Sequence, residues 1–139
     1  MGAKGTQLEF GLVQAVERQA VARDFYRATT GLNDTRIASH LRGIDFSQPV
    51  NIVDIPAGTF LTQFNLPGRV GNYYAPVGTP ANSLGIYTSG LVERIHIFGS
   101  PTRALQSTAA SVVDDWSMSG AGWRIQTGGG GTQFFVPNR

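Results

Sequence analysis

The spacing of hydrophobic residues along the chain changes between residues 45 and 50. In the first part they recur every three or four positions, at Leu12, Val13, Val16 and Ala20. This is the spacing of residues along one side of a helix, and polar residues occupy the positions between them. The pattern therefore predicts one amphipathic helix over residues 8–28.

A second, shorter helix is predicted to run through Leu41. Asn33 or Asp34 can cap its first turn, because both side chains accept hydrogen bonds from free backbone N–H groups. Gly31 and Gly43 follow the two helical segments, and we predict that each ends its helix as a C-terminal glycine.

From residue 50 the hydrophobic residues lie in short β-rich runs that are separated by Gly, Pro and Asn. The predicted strands are 50–55, 59–64, 91–98, 122–126 and 132–136. Because helices come first and strands follow without alternating, the chain is predicted to be an α+β protein with a mainly antiparallel sheet. A βαβ nucleotide-binding unit is not expected.

The length and composition predict one compact unit. The chain has 139 residues, so residues 1–139 are expected to form a single domain, with a helical N-terminal part (1–45) and a β-rich body (46–139). Hydrophobic residues make up 41% and charged residues 14%, which predicts a real core rather than a disordered chain. The 18 Gly residues favour turns and short strands.

Charge and residue usage exclude several classes of ligand. The 11 Lys and Arg residues are spread singly and leave a net charge of only +2, so nucleic-acid binding is not expected. No hydrophobic run is long enough to span a membrane. With no Cys and only 2 His, neither a disulfide framework nor a metal site is expected.

Two positions are candidates for chemistry. Asp114 and Asp115 are adjacent carboxylates beside Trp116, and in an extended segment neighbouring side chains face opposite sides, so at most one of them faces a cleft. Gln63 shares one side of the predicted strand 59–64 with Leu61, where a core strand would carry an apolar residue. An edge strand that faces water would explain Gln63 equally well.

Two further signals are weaker. The glycine run 128–131 resembles neither a P-loop nor a dinucleotide fingerprint, since no Lys-Ser/Thr follows and a strand-like run comes next. We predict that it is a tight connection between strands. His40 falls late in the second helix and His96 alternates with Ile95 and Ile97 in a strand, where a lone histidine is more often structural.

Several motifs, taken in order, carry a family resemblance. They are 43–50 (GIDFSQPV), 56–59 (PAGT), Gln63, 67–68 (PG), 71–74 (GNYY), Ser107 and Thr108 with Asp114 and Ser117, and 129–134 (GGGTQF). Together they resemble the polymorphic-toxin NAD(P)⁺ glycohydrolase domains at the C-termini of type VI secretion and Rhs-type effectors. The likeness covers about residues 43–138, and the closing run is also similar to the necrotizing-toxin NAD glycohydrolases.

The sequence departs from the family signature Ser-Thr-x-x-Pro-x-x-Asp-x-x-Ser/Thr at one position and just before it at another. Gln106 stands where the family usually has Lys or Arg before Ser-Thr, and Ser111 stands where it usually has Pro. The family's phosphate contact from that cation is therefore not expected in this chain.

The resemblance implies a β-rich core related to ADP-ribosyltransferases, which binds NAD⁺ or NADP⁺ as its substrate and breaks the bond between nicotinamide and ribose. No separate cofactor is implied. Asp114 would be the carboxylate that stabilises the developing positive charge, and Gln63 the second catalytic residue. The expected substrate contacts are Arg69 to the pyrophosphate, Tyr73 and Tyr74 stacking on a base, and Ser107, Thr108 and Gln133 from the shared motifs.

The resemblance also implies a secreted bacterial effector that acts in the cytoplasm of a recipient cell. Its partners would be a parent effector with its secretion apparatus and a cognate immunity protein. Three alternatives stay open: an ADP-ribosyltransferase toxin that modifies protein or RNA, a ribonuclease toxin that uses His40 and His96, and a glycine-rich β binding module without activity. The first lacks a Glu-x-Glu pair, and the second has few charges with which to bind RNA.

Overall fold

The computed structural model describes residues 3–86, 90–111, 113–116, 123–126 and 128–137, with side chains described in these ranges outside 3–10, 113–116 and 123–126. Within these ranges the helices are α1 (Ala3–Thr29) and α2 (Asp34–Leu41), and a 3-10 helix, η1, spans Ala81–Leu84. The strands are β1 (Asn51–Ile55), β2 (Phe60–Asn65), β3 (Tyr73–Pro76), β4 (Val92–Ile97), β5 (Thr102–Thr108), β6 (Val113–Trp116), β7 (Trp123–Gln126) and β8 (Thr132–Phe135).

Six of these strands form one antiparallel sheet in the order β1-β5-β8-β3-β2-β4, and β6 pairs with β7 in a separate two-stranded sheet. Both α-helices precede every strand, and the predicted α+β class with an antiparallel sheet is confirmed. Strand β8 comes last in the chain but lies inside the sheet, between β5 and β3.

The two faces of the six-stranded sheet bury different cores. Tyr73 and Tyr74 are neighbours in β3 and therefore point to opposite faces. On the Tyr73 face, Leu105 and Phe135 pack under the helices; the other buried members of this cluster are Ala22, Phe25, Tyr26, Ile37, Leu41, Ile44 and Val50. On the Tyr74 face the buried residues are Ile55, Leu61, Phe98, Ala104 and Val136.

The hydrophobic stripe that predicted α1 is not its buried side. Leu12, Val13 and Val16 are 69%, 54% and 66% exposed, whereas the part of α1 that enters the core begins at Ala22. The reason is that only the C-terminal part of the helix lies over the sheet, so the periodicity of its earlier turns has no core to face. No helix among the described residues is long and apolar enough to cross a membrane.

The ends of the helices differ partly from the prediction. Asn33 is the N-cap of α2, as one of the two predicted options, and its side chain accepts a hydrogen bond from Arg36 N at 2.9 Å. Gly31 and Gly43 do not adopt the left-handed conformation that makes a glycine a C-terminal stop. At the end of α1, hydroxyl groups of the last turn hydrogen-bond the free carbonyl groups instead, with Thr29 Oγ1 donating to a carbonyl oxygen at 2.6 Å.

Three strands were missed by the sequence pattern. Strand β3 has four residues and ends in Pro76, which lacks the N–H group that a strand normally contributes. Strand β5 alternates small and polar residues, although it lies inside the sheet and buries Ala104, Leu105 and Ser107. Strand β6 carries the adjacent carboxylates, and its pairing with β7 makes this segment extended, as the sequence argument assumed.

The glycine run 128–131 connects β7 to β8 and packs tightly against neighbouring segments, which confirms a tight strand connection. Gly130 N donates to Ala109 O and Gly131 N donates to Ser83 O, both at 2.8 Å. A Cβ atom on Gly129 would lie 2.5 Å from Ser111 N and 2.7 Å from Ala109 O. Gly129 is therefore required because backbone segments approach it closely, and Gly130 because its φ is 95°, which side chains rarely adopt. The N–H groups of Gly130 and Gly131 are not free to hold a phosphate.

Replacing Gly129 with Ala is expected to lower the free energy of unfolding by about 1–3 kcal/mol or more, because the new methyl group overlaps backbone atoms that cannot rotate away. Gly99→Ala is the matched control, since a Cβ atom there meets nothing within 4 Å. Urea unfolding monitored by tryptophan fluorescence measures both. Equal stability of the two variants would contradict the close packing of the glycine run.

Candidate functional site

A cavity of about 360 Å³ opens where the end of α2 faces β2, β3 and β8, with the segment 84–86 forming a further wall. This volume lies within the usual range of small-molecule sites. Its polar lining residues include Ser39, His40, Gln63, Tyr73 and Gln133. Among the described residues that line it, none is Asp, Glu, Lys or Arg.

A chain of three hydrogen-bonded groups runs from the core to this cavity. The hydroxyl groups of Tyr26 and Tyr73 lie 2.8 Å apart, and the Tyr73 hydroxyl lies 2.6 Å from His40 Nδ1. The imidazole ring stacks on both phenol rings, with centroids 5.2 Å from Tyr26 and 5.7 Å from Tyr73. Tyr26 is fully buried, so one end of the chain is sealed, whereas the His40 end reaches the cavity.

Burial sets the protonation of all three groups. It raises the pKa of Tyr26 to about 12 and raises that of Tyr73 further, and a negative charge on Tyr26 would add to the effect on the pKa of Tyr73. Burial also lowers the pKa of His40 from 6.5. Near pH 7 both phenols are therefore protonated and the imidazole is neutral.

The direction of the chain follows from its buried end. Tyr73 is the hydrogen-bond partner that the described residues offer to the Tyr26 hydroxyl, and an unpaired buried hydroxyl hydrogen costs about 1–3 kcal/mol. From this cost we infer that Tyr26 donates to Tyr73 and that Tyr73 donates to His40 Nδ1. This leaves His40 as the tautomer that carries its hydrogen on Nε2.

Gln63 lines the cavity, but its amide is used by the protein backbone. Nε2 donates to Gly71 O at 2.8 Å and to Tyr73 O at 3.0 Å, and Oε1 accepts from Gly71 N at 3.2 Å. The side chain is only 3% exposed. Both amide hydrogens therefore hold the segment that leads into Tyr73, and the predicted catalytic role of Gln63 stays a prediction.

Gln133 has a similar position on β8. Its Nε2 donates to Gly43 O and to Ser107 Oγ, both at 3.1 Å. Gln133 lines the cavity, whereas Ser107 is buried beneath it and does not line it. Thr108 does not line the cavity either, and its backbone oxygen accepts from Asp45 N at 2.8 Å.

The remaining predicted substrate-contact residues do not all lie at the cavity. Tyr73 and Tyr74 both border the cavity, but the Tyr74 ring lies on the opposite face of the sheet, edge-on to His96 and Phe98. Arg69 is exposed in the turn after β2 and does not line the cavity. The structure thus brings Gln63, Tyr73, Tyr74 and Gln133 to one cavity and leaves Arg69, Ser107 and Thr108 outside it.

The histidines of the ribonuclease alternative do not form a pair. His40 stacks on Tyr73, and His96 packs against Tyr74. Because these tyrosines point to opposite faces of the sheet, the two imidazoles lie on opposite sides of it. An acid and a base that act on one phosphate must both reach it, so this geometry does not support that alternative.

Asp114 lies in β6, where its backbone pairs with that of Ile125. Its side chain lies outside the described residues, so its contacts are not part of the site's geometry. In the sequence Asp114 follows Ala110, which lines the cavity, by four residues. Four residues span at most about 14 Å.

Two charged residues that bond to lining residues of the cavity were not among the predicted site residues, and one of them, Arg42, itself lines a separate pocket between α1 and α2. Arg42 is exposed and donates from Nη2 to Ser39 Oγ, a lining residue, at 3.1 Å. Glu93 Oε2 accepts from Thr62 Oγ1 at 2.7 Å, and Thr62 also lines the cavity. No local sequence motif marks either residue as a site residue.

Gln63→Ala is expected to lower the free energy of unfolding by about 1–3 kcal/mol, because buried backbone groups of Gly71 and Tyr73 lose their partners. Gln48→Ala, at an exposed position, is the matched control and should change stability by less than about 0.5 kcal/mol. Urea unfolding measures both. If Gln63→Ala is as stable as Gln48→Ala, the structural role of this amide is wrong.

Comparison with known proteins agrees with this architecture. A solved structure of Tse6 in complex with Tsi6 is similar, with a TM-score of 0.72 and 22% sequence identity over 91% of this chain and 92% of that chain. At this identity the likeness shows the fold alone. No curated protein sequence matches the chain. The family model for bacterial toxin 46 matches residues 8–139, nearly the whole chain, and the protein therefore belongs to the bacterial toxin 46 family.

Proposed function

We propose that this toxin is an NAD(P)⁺ glycohydrolase, which hydrolyses the bond between nicotinamide and ribose and depletes the dinucleotides of a target bacterium. The observation that supports this most is the cavity, whose described lining residues include Gln63 and Tyr73 and carry no charged side chain. Asp114 follows the lining residue Ala110 by four positions in the sequence. Such a cavity suits the nicotinamide riboside half of the substrate. We also propose that the β-rich core is related to that of ADP-ribosyltransferases, as the sequence resemblance implies.

The reaction needs little from the protein. The bond between ribose C1′ and the pyridinium nitrogen breaks, its electron pair stays on that nitrogen, and nicotinamide leaves as a neutral molecule. Water then adds to C1′ and loses a proton, giving ADP-ribose. Because the leaving group needs no proton, one carboxylate is enough, unlike the pair used by ordinary glycosidases.

Asp114 is the proposed carboxylate. A negative charge beside the cavity would stabilise the positive charge that develops on the ribose and would orient the attacking water. Glu93 is the competing candidate, because its carboxylate bonds to the cavity residue Thr62. A neutralising substitution at each position separates the two.

The pyrophosphate would lie outside the cavity, at its edge. Arg42 is better situated for this contact than Arg69, because its guanidinium already bonds to Ser39 on the cavity wall. An Arg guanidinium can bind phosphate oxygens through two parallel hydrogen bonds. Tyr73 would contact the nicotinamide or ribose, and Gln63 would act mainly by holding Tyr73 in place.

The biological setting is part of the proposal. The domain would be carried by a parent effector through its secretion apparatus and would act in the cytoplasm of the recipient cell. The similar fold of Tse6 was solved in complex with Tsi6. By analogy we expect a cognate immunity protein for this toxin, which covers the cavity.

Asp114→Asn is expected to lower the rate of NAD⁺ hydrolysis by at least about 100-fold, because a neutral amide cannot balance the charge of the transition state. Asp115→Asn and Glu93→Gln are the matched controls and should keep near wild-type rates. The measurement mixes purified protein with NAD⁺ or NADP⁺ and quantifies free nicotinamide and free ADP-ribose.

The same measurement separates the alternatives. Nicotinamide release without free ADP-ribose indicates transfer to protein or RNA, and no release contradicts NAD(P)⁺ cleavage altogether. Loss of activity in Glu93→Gln with activity kept in Asp114→Asn would assign the carboxylate to Glu93.

An immunity protein that covers the cavity should inhibit hydrolysis and compete with NAD⁺. Since Arg42 bonds to Ser39 of the cavity wall, we expect the inhibitor to present acidic or polar groups there, and Arg42→Ala should weaken its binding by about tenfold. Inhibition kinetics with the protein encoded beside the toxin test this. A tightly bound partner that leaves hydrolysis unchanged would rule out coverage of the cavity.

A further inference from the structure

The His40 imidazole is prepared for a ligand that the protein itself does not supply. Its Nδ1 is occupied by the Tyr73 hydroxyl, and the hydrogen bonds found among the described residues use no other atom of the ring. The ring is half-buried and lines the cavity, where Nε2 carries the hydrogen. Fixing this imidazole by stacking and by one hydrogen bond costs conformational entropy. Its second nitrogen, at the cavity wall, makes no further hydrogen bond within the described residues in return.

We propose that His40 is a substrate-positioning residue, whose Nε2–H donates a hydrogen bond to an acceptor oxygen of the nicotinamide riboside half of the substrate. Tyr26 and Tyr73 act behind it by fixing the tautomer and the plane of the ring. This inference rests on the proposed function for the identity of the ligand, but not for the tautomer or the orientation of the ring.

The chemistry of this half of the substrate matches the donor. The nicotinamide carboxamide has a carbonyl oxygen, and the ribose has hydroxyl oxygens, and both accept hydrogen bonds. A neutral imidazole does not repel the cationic pyridinium ring. An Arg or Lys side chain in the same place would repel it. The cavity lining, which has neither residue among its described members, is consistent with this.

The first arm of the test uses nuclear magnetic resonance on the intact chain labelled with ¹⁵N-histidine. The chain has only 2 His, so His96→Gln assigns both imidazoles. Wild-type His40 should show the Nε2–H tautomer at pH 7.5, and Tyr73→Phe should give a mixture of tautomers. A wild-type Nδ1–H tautomer would overturn the proposal.

The ligand probes are nicotinamide and ADP-ribose, which are reaction products and are not consumed. A shift of the His40 ¹⁵Nε2 signal by nicotinamide assigns the contact to the carboxamide, and a shift by ADP-ribose assigns it to the ribose. Either result supports the proposal. If neither probe at saturation moves this signal, the proposal is wrong, whether or not the wild-type protein cleaves NAD⁺.

The second arm measures kinetics. His40→Phe should raise KM for NAD⁺ by about tenfold, the effect of losing one such hydrogen bond, and His40→Gln should recover most of the loss because its amide N–H can occupy the place of Nε2. Thermal unfolding checks that each variant folds. If His40→Phe does not fold, Tyr73→Phe is measured in its place, because it keeps the imidazole. An unchanged KM in a folded His40→Phe protein overturns the proposal, whereas a wild-type protein that releases no nicotinamide overturns the proposed function instead.

Discussion

The carbonyl oxygen of Gly43 is the point on which the arrangement of helices, sheet and cavity depends. It accepts two hydrogen bonds, from Ala110 N at 3.0 Å and from Gln133 Nε2 at 3.1 Å, so the end of α2 is attached to two segments of the strand-rich body at once. His40 lies one helical turn before Gly43, so this attachment also fixes the position of His40. Because polar groups are costly to bury unpaired, an α2 that moved away would leave Ala110 N without this partner and Gln133 Nε2 with Ser107 Oγ alone.

The two buried amides and the imidazole have different roles in this site. Gln63 and Gln133 satisfy backbone groups and so hold the cavity walls, whereas His40 uses one nitrogen internally and keeps the other at the surface of the cavity. All three are polar residues next to a hydrophobic core, and sequence patterns do not separate them. What separates them is the number of hydrogen-bonding atoms that the protein itself consumes.

The sequence predicted the order of helices and strands well because local spacing carries that information, as the agreement of 91–98 with Val92–Ile97 shows. It failed where neighbours in space decide the outcome. Leu12 and Val16 have helical spacing but no sheet beneath them, and β5 is buried despite a polar pattern because strands flank it on both sides. Four predicted residues, Gln63, Tyr73, Tyr74 and Gln133, line the cavity. Arg42 was not predicted, because the position of its partner Ser39 on the cavity wall depends on the fold.

The central place of β8 affects when the toxin can become harmful. Synthesis from the N-terminus produces β1 and β5 on one side and β2, β3 and β4 on the other before β8, which joins these two groups. Gln133, a wall of the cavity and a tether of α2, is part of that joining strand. A nascent chain on the ribosome therefore lacks the assembled cavity until residues 132–135 have emerged, so binding in this cavity cannot precede the synthesis of β8.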